Sequence, residues 1–198
     1  PGRTSHSFVE QFGVGFDETV IATASDSLNV PRDLEFHPSA TRQNELWVIN
    51  RASDSMTIIQ NAGLGSQSSF NRADSNRNHF MEEPSAFAFG QYHSEFDYIF
   101  ASAQETRNTF NGQAPPGNNF MGPALWPSSL SHFAMENQGA GGGLGSHLDM
   151  LHESPNGMGI AHDSGNAFWY NDGYYGELVW YDFVNDHDTG GEDHADGK

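Results

Sequence analysis

The chain has 198 residues, with 8 Lys and Arg against 26 Asp and Glu, and a formal net charge of −18 at pH 7. This length is typical of one domain, and 15 Phe, 4 Trp and 6 Tyr are more aromatic residues than a disordered acidic chain carries. A charge of this sign repels phosphate and anionic lipid, so it argues against nucleic acid as a partner, and no apolar run is long enough to span a membrane. The sequence contains no cysteine, which excludes disulfides, thiolate metal sites and a cysteine nucleophile.

Short strands dominate the predicted secondary structure. Helical periodicity is scarce, whereas short runs of aromatic and β-branched residues bounded by Asn, Asp and Gly are typical of strands. In chain order these runs are residues 31–36, 46–49, 56–59, 84–89, 98–100, 155–161, 167–170 and 178–183. The sequence therefore predicts an all-β protein.

These strands recur in three units, at residues 28–62, 82–136 and 153–184, and the first strand of each unit begins beside a proline. The order within a unit is first strand, turn, middle strand, turn and outer strand, although an insertion at 103–146 interrupts the second unit before its outer strand. One small antiparallel sheet cannot bury both of its faces, so we expect the units to stack face to face. Residues 185–198 follow as an acidic loop of His, Asp and Gly.

The third unit has a proline at 155, the small apolar strand GMGIAHD at 157–163, the turn SGN at 164–166 and the apolar strand FWYND at 168–172. This order resembles the NHL-repeat family of β-propellers, and the first unit follows it more loosely. The resemblance implies an NHL-like propeller with three recognisable blades and long loop insertions. Because propellers have four to eight blades, we expect the three units to be part of a larger ring.

The C-terminal loop is one candidate metal site, with the ligands Asp186, His187, Asp188, Asp193 and His194. Alternate carboxylates followed by glycine favour a calcium ion, whereas the two imidazoles suit zinc or copper. We predict a divalent cation here, with calcium as the first candidate. The alternative is an acidic loop that is simply solvated.

A second candidate site combines His147, His152 and His162. Three imidazoles hold a zinc ion with an open position for an acidic water, which is the chemistry of a metal-dependent lyase or hydrolase. The alternative is three hydrogen-bonded histidines with a structural role.

Propeller lyases that complete peptide amidation also use NHL-like repeats, but their ligand histidines follow the blade proline directly. This chain has Arg32, Ser85 and Asn156 at those places. The lyases' active site is therefore not carried over, and whether the chain is an enzyme stays open.

The aromatic residues near the C-terminus are candidates for both core and surface roles. Side chains alternate along a strand, so one aromatic residue points into the core between sheets and the next points outward. We expect most of Trp169, Tyr170, Trp180 and Tyr181 to lie in the core. Tyr174 and Tyr175 lie on a turn, where exposed rings could stack on a glycan or a protein partner.

The sequence thus predicts an extracellular or periplasmic β-propeller that acts as an interaction or assembly module and binds a divalent cation. The expected partners are a protein or a glycan, copies of the chain itself, or a chain that completes the propeller. The alternatives are the lyase or hydrolase described above and a structural subunit of a fibre or shell.

Overall fold

A computed structural model describes residues 19–107, 119–139, 143–194 and 196–198. In these residues eleven strands form three separate antiparallel sheets, and the one α-helix is the single turn Arg77–Phe80. The prediction of an all-β protein is confirmed. Residues 108–118 and 140–142, which belong to the predicted insertion at 103–146, lie outside the described residues.

Each sheet is built from strands that follow one another along the chain. The first sheet contains β1 (Pro31–Phe36), β2 (Leu46–Asn50), β3 (Ser55–Gln60) and β4 (Ser68–Arg72). The second sheet contains β5 (Pro84–His93), β6 (Asp97–Gln104), β7 (Ala124–Trp126) and β8 (Asp149–Met150). The third sheet contains β9 (Gly157–Ser164), β10 (Ala167–Asp172) and β11 (Glu177–Asp182). One turn of 3-10 helix, Ala24–Asp26, precedes β1, and a second, Ala40–Arg42, lies between β1 and β2.

Every predicted run contributes to a strand, but the first and second sheets contain strands that the sequence did not predict. In the first sheet this is β4, whose sequence SSFNR has a single apolar residue and lies beyond the predicted end of the first unit at residue 62. The second sheet differs from the expectation in its outer half. The insertion does not leave the sheet without an outer strand, because β7 pairs with β6, and β8 pairs with β7. β7 is three residues long and lies between Pro123 and Pro127. A run so short between two prolines carries no strand periodicity, which is why the sequence did not predict it.

The second sheet lies in the middle of the stack and buries both of its faces. Its strands alternate between the two faces, as a pleated sheet requires. One face packs on the first sheet through Phe87, Phe89, Phe100 and Trp126 against Trp47, Ile49, Met56 and Ile58. The other face packs on the third sheet through Ala88, Ile99, Ala101 and Leu125 against Phe168 and Phe183. Face-to-face stacking of the predicted units is therefore confirmed.

The first strands of the three sheets are linked where the sheets meet. The Asp33 and Glu35 carboxylates of β1 accept hydrogen bonds from the backbone N–H groups of Phe87 and Phe89 at 3.1 and 2.9 Å. Ser85 of β5 in turn donates to the backbone oxygen of Gly157. Side chains of one sheet thus satisfy backbone groups of the next sheet. The described residues form a stack that does not close into a barrel or a propeller.

The third sheet has one covered face, and this corrects the expectation that most of the C-terminal aromatic residues lie in the core. Tyr170 is fully buried, but Trp169 and Trp180 remain 43% and 42% exposed, and Tyr181 is half-buried. The alternation itself holds, since Phe168 and Tyr170 point to the second sheet and Trp169 points away from it. No other sheet formed by the described residues covers the second face of this terminal sheet.

His37 connects the end of β1 to the core between the first and second sheets. Its side chain is buried among the rings of Trp47, Phe89 and Tyr98, with ring centroids 4.9 to 6.1 Å away. Burial, together with the neighbouring Arg42 guanidinium, lowers the pKa of His37 to about 4. The imidazole is therefore neutral in the folded protein at neutral pH.

We expect His37 to make the fold sensitive to acid. The unfolded chain takes up a proton near pH 6.5 and the folded chain only near pH 4, so the stabilisation is complete above the first value and is lost as the pH falls through this window. Between pH 6.5 and pH 4 the wild type should lose up to about 3 kcal/mol more of its free energy of unfolding than His37→Gln does. Urea unfolding of both proteins at a series of pH values measures this difference.

His132→Gln, which removes an imidazole from outside this core, is the matched control. An equal pH dependence in the wild type and in His37→Gln would contradict the assignment.

Candidate metal centre

Three side chains from two distant parts of the sequence converge at the far edge of the second sheet. Asp149 belongs to β8, while His187 and Asp196 belong to the C-terminal segment, residues 185–198. One donor atom of each lies within 4.8 Å of the other two, and this is the one such group of three among the described residues. The His187 Nε2 is 2.9 Å from the Asp196 Oδ1 and 4.0 Å from the Asp149 Oδ2.

Asp149 is the unusual member of this group because its carboxylate is buried. Its side chain is fully inaccessible to solvent, and its Oδ1 accepts a hydrogen bond of 2.7 Å from the Met150 N–H. Its Oδ2, which points to His187, has no hydrogen-bond partner among the described residues. Burial raises the pKa of Asp149 to about 7. A buried carboxylate oxygen without a partner is costly unless a proton or a cation neutralises it.

The other two members form a pair that complements this carboxylate. The hydrogen bond to Asp196 raises the pKa of His187, and the same bond lowers the pKa of Asp196. Asn185 adds a second donor to Asp196 at 2.6 Å. The imidazole Nε2 is therefore held between two carboxylates, and a metal ion that binds this nitrogen would displace the proton that bonds it to Asp196.

The C-terminal segment is held in place at both of its ends. The Gly190 N–H donates to the His147 backbone oxygen at 2.8 Å, and Lys198 exchanges two backbone hydrogen bonds of 2.8 and 2.9 Å with Asp182 of β11. Gly197 packs closely on the Leu151 side chain, since a Cβ at this position would lie 2.0 Å from the Leu151 Cδ2 and would require that side chain to move. These contacts place His187 and Asp196 over β8.

Three of the histidines predicted as ligands surround this centre without joining the group of three. The His194 Nδ1 lies 3.1 Å from the Met150 backbone oxygen and 3.4 Å from the Asp149 Oδ1. The His147 Nε2 is 3.5 Å from the His194 Nε2, and the His152 ring centroid is 5.8 Å from that of His194. Burial lowers the pKa of both His147, to about 3, and His152. The His147 and His152 imidazoles are therefore neutral at neutral pH, and their rings lie beside the His194 ring that contacts Asp149.

His162 lies elsewhere. It is on β9 and lines an open groove of about 470 Å³ between the first strands of the three sheets, together with Asp33 and Glu35. Its Nε2 is 3.0 Å from the Gly165 backbone oxygen. The structure therefore brings His147 and His152 to the C-terminal segment and places His162 in a different cavity.

The remaining predicted ligands of the C-terminal loop point in different directions. The Asp186 Oδ2 lies 3.6 Å from the His93 Nε2, and Asp188 and Asp193 are exposed. Asp193 still acts on the centre, since its negative charge contributes to the raised pKa of Asp149. Of the five predicted residues in this loop, His187 is the one that belongs to the group of three.

Sequence reasoning missed Asp149 and Asp196. Each lies within one of the two clusters singled out as metal-binding, but the clusters were treated as separate sites. The sequence did contain one indication that the two clusters form a single site, because both clusters contain carboxylates next to imidazoles. What joins them is the return of the C-terminal segment to β8, which no local pattern indicates.

Tyr174 and Tyr175 lie on the turn between β10 and β11 and are 42% and 53% exposed. The Arg107 guanidinium stacks on the Tyr174 ring at 4.2 Å, and the Asn119 side chain donates to the Tyr175 hydroxyl at 2.9 Å. Their partners in this structure are thus other parts of the same chain, and a role for these rings in binding a glycan or a protein stays a prediction.

Comparison with protein-family models gives no match, and comparison with curated proteins and with solved structures gives no significant match. The resemblance to NHL repeats therefore stays a prediction. Among the described residues, no helix is long and apolar enough to cross a membrane.

We expect Asp149→Asn to stabilise the metal-free protein. The amide keeps the acceptor for the Met150 N–H and removes the buried charge, so at about pH 8 in excess chelator the free energy of unfolding should rise by about 1–3 kcal/mol. Urea unfolding measures this change. Asp188→Asn, on the exposed side of the same segment, should change it by less than about 0.5 kcal/mol. A destabilised Asp149→Asn protein would show that the carboxylate is already satisfied in the metal-free state.

Proposed function

We propose that this chain is a rigid, extracellular β-sheet module of the propeller type that binds a divalent cation and serves in interaction or assembly. The observation that carries the cation part is the fully buried Asp149 carboxylate, whose unpartnered Oδ2 faces His187 and Asp196. The extracellular setting is inferred from composition, since the chain is acidic, has a single Lys and is rich in Asn and Gly.

The cation would bind to Asp149, His187 and Asp196. A divalent ion supplies the positive charge that a buried carboxylate needs, and it replaces the proton that otherwise neutralises the group. Because Asp149 lies in the second sheet and the other two ligands lie in the C-terminal segment, binding would fasten this segment to the sheet. The His194 ring, held by the Met150 backbone oxygen, closes one side of the centre.

The donor set favours zinc over calcium. Calcium binds oxygen ligands almost exclusively, whereas two carboxylate oxygens with one imidazole nitrogen are a set that zinc uses in proteins. The sequence favoured calcium because Asp186 and Asp188 alternate, but these two side chains do not converge on one point. We therefore propose an ion of the zinc class.

The propeller part of the proposal is supported by how the sheets stack. Each is a small antiparallel sheet whose strands follow in chain order, each sheet packs its face on the next, and the first strands are linked to one another. Neighbouring blades of a propeller have this relation. A propeller needs at least one more sheet than the described residues supply, so this part requires a further sheet.

The lyase or hydrolase with zinc on His147, His152 and His162 remains an alternative that no observation favours. It requires His162 beside the other two histidines, while His162 lines the groove between the first strands.

The cation is tested by thermal unfolding of chelator-treated protein to which Zn²⁺ or Ca²⁺ is added. At a Zn²⁺ concentration 100 times the Kd, we expect a stabilisation of about 2.7 kcal/mol, which raises Tm by roughly 5–10 °C in a domain of this size. Ca²⁺ should give a smaller shift. Asp149→Asn and His187→Gln should each lose most of the Zn²⁺ effect, because each removes one ligand.

Asp188→Asn is the matched control, since it removes a carboxylate from the same segment outside the group of three, and it should keep the full shift. Limited proteolysis supplies an independent measurement, because cleavage within residues 185–198 should slow when Zn²⁺ is bound. A Zn²⁺ shift of the same size in the wild type and in Asp149→Asn would rule out this centre.

A further inference from the structure

The stack of three sheets has two ends, and both carry uncovered apolar side chains. Within the described ranges, the second sheet is covered on both faces, whereas the first and third sheets are each covered by a sheet on one face only. We call the outer face of the third sheet end C and the outer face of the first sheet end N.

End C is formed by Trp169, Leu178 and Trp180, which are 43%, 73% and 42% exposed. Trp169 and Trp180 lie directly opposite each other on β10 and β11. Both indole N–H groups donate to the Asp163 carboxylate, at 3.3 and 3.2 Å. Because one carboxylate holds both rings by their polar edges, the two indoles present a fixed apolar surface whose hydrogen bonds are already made.

End N is open at β1, where Leu34 and Phe36 are 59% and 55% exposed. They lie opposite Val48 and Leu46 of β2, and these two are buried under the chain that precedes β1, through Ala22 and Leu28. End N therefore has two halves: the half formed by β2 is covered, and the half formed by β1 is apolar and exposed.

From these two ends we propose that the chain associates with a second copy of itself head to tail, with end C of one copy packed on end N of the next. The contact would continue the stacking already present in the chain, since a sheet face packs on a neighbouring sheet between the first and second sheets and again between the second and third. A second copy supplies the further sheet that the propeller part of the proposed function requires. This inference rests on that part and is independent of the cation.

The charges at the two ends favour this pairing over a symmetric one. End C carries the Asp163 carboxylate, and Asp182 lies on the same face, directly beyond Trp180 along β11. Two copies of end C would bring these carboxylates together, which costs free energy in a chain with a net charge of −18. Arg32, at the start of β1 beside end N, is 41% exposed and already forms an ion pair of 3.4 Å with Glu105 of the same chain. The preference for the head-to-tail contact therefore comes from the repulsion between two copies of end C.

A head-to-tail contact uses two different surfaces, so the assembly either closes into a ring or grows into a filament. The ring and the filament would both be built from the same contact between end C and end N. A closed pair of copies would place six sheets in one ring, which is within the range of known propellers.

Sedimentation velocity on the full chain over a wide range of concentration tests the proposal. The wild type should show a mass that rises above that of the 21.7 kDa single chain. Leu178→Glu at end C and Phe36→Glu at end N should each weaken association at least tenfold. Both positions are exposed, so both variants should keep the fold, which circular dichroism checks. Met135→Glu, at an exposed apolar residue away from both ends, is the control and should associate like the wild type.

Mixing the two variants is the decisive measurement. Leu178→Glu keeps an intact end N and Phe36→Glu keeps an intact end C, so the mixture should form a species of two chains that neither variant forms alone. A chain that stays single at every concentration overturns the proposal. So does association that Leu178→Glu abolishes and Phe36→Glu leaves unchanged, since that result means a contact of end C with itself. Asp149→Asn should associate normally, which separates failure of this contact from failure of the cation centre.

Discussion

The structure depends on one constraint, which is that the second sheet has to hide both of its faces from water. β5, β6 and β7 place large aromatic side chains on one face and small or aliphatic side chains on the other, so neither face can be left exposed. The first and third sheets satisfy this requirement by packing on it from opposite sides. The order of the stack, the alignment of the first strands and the groove between them all follow from that arrangement.

The same constraint explains why a charged group is buried at the edge of this sheet. β8 is the last strand of the second sheet and is only two residues long, and the chain that covers it is the polar segment 185–198 instead of another sheet. This segment excludes water from Asp149 but brings charged partners with it. The sheet edge thus becomes a place where a carboxylate is desolvated next to an imidazole and a second carboxylate, which is the setting in which a bound cation has most to contribute.

The sequence predicted most of the strands but missed β4, β7 and β8, and it predicted the metal-binding residues poorly. β1, β5 and β9 could be found because each begins beside a proline and is followed by an apolar run, which are local signals. β7 and β8 could not be found, because a strand of three or two residues has no periodicity and is defined by its neighbours. Asp149 and Asp196 are separated by 47 positions, and only the return of the chain to β8 brings them together. The exposure of Trp169 and Trp180 was not predicted for a related reason. Alternation shows which side chains share a face of the sheet, but it does not show whether another sheet covers that face.

The C-terminal segment also connects the candidate metal centre to the third sheet. Asp196 is a member of the centre, and two residues later Lys198 forms a backbone pair with Asp182 on β11. β11 is the outermost strand of the third sheet, so this pair satisfies backbone groups at an edge that would otherwise face water. A cation that fixes Asp196 relative to Asp149 therefore fixes the edge of the third sheet relative to the second. Its binding free energy would then stabilise both the C-terminal segment and the contact between the second and third sheets.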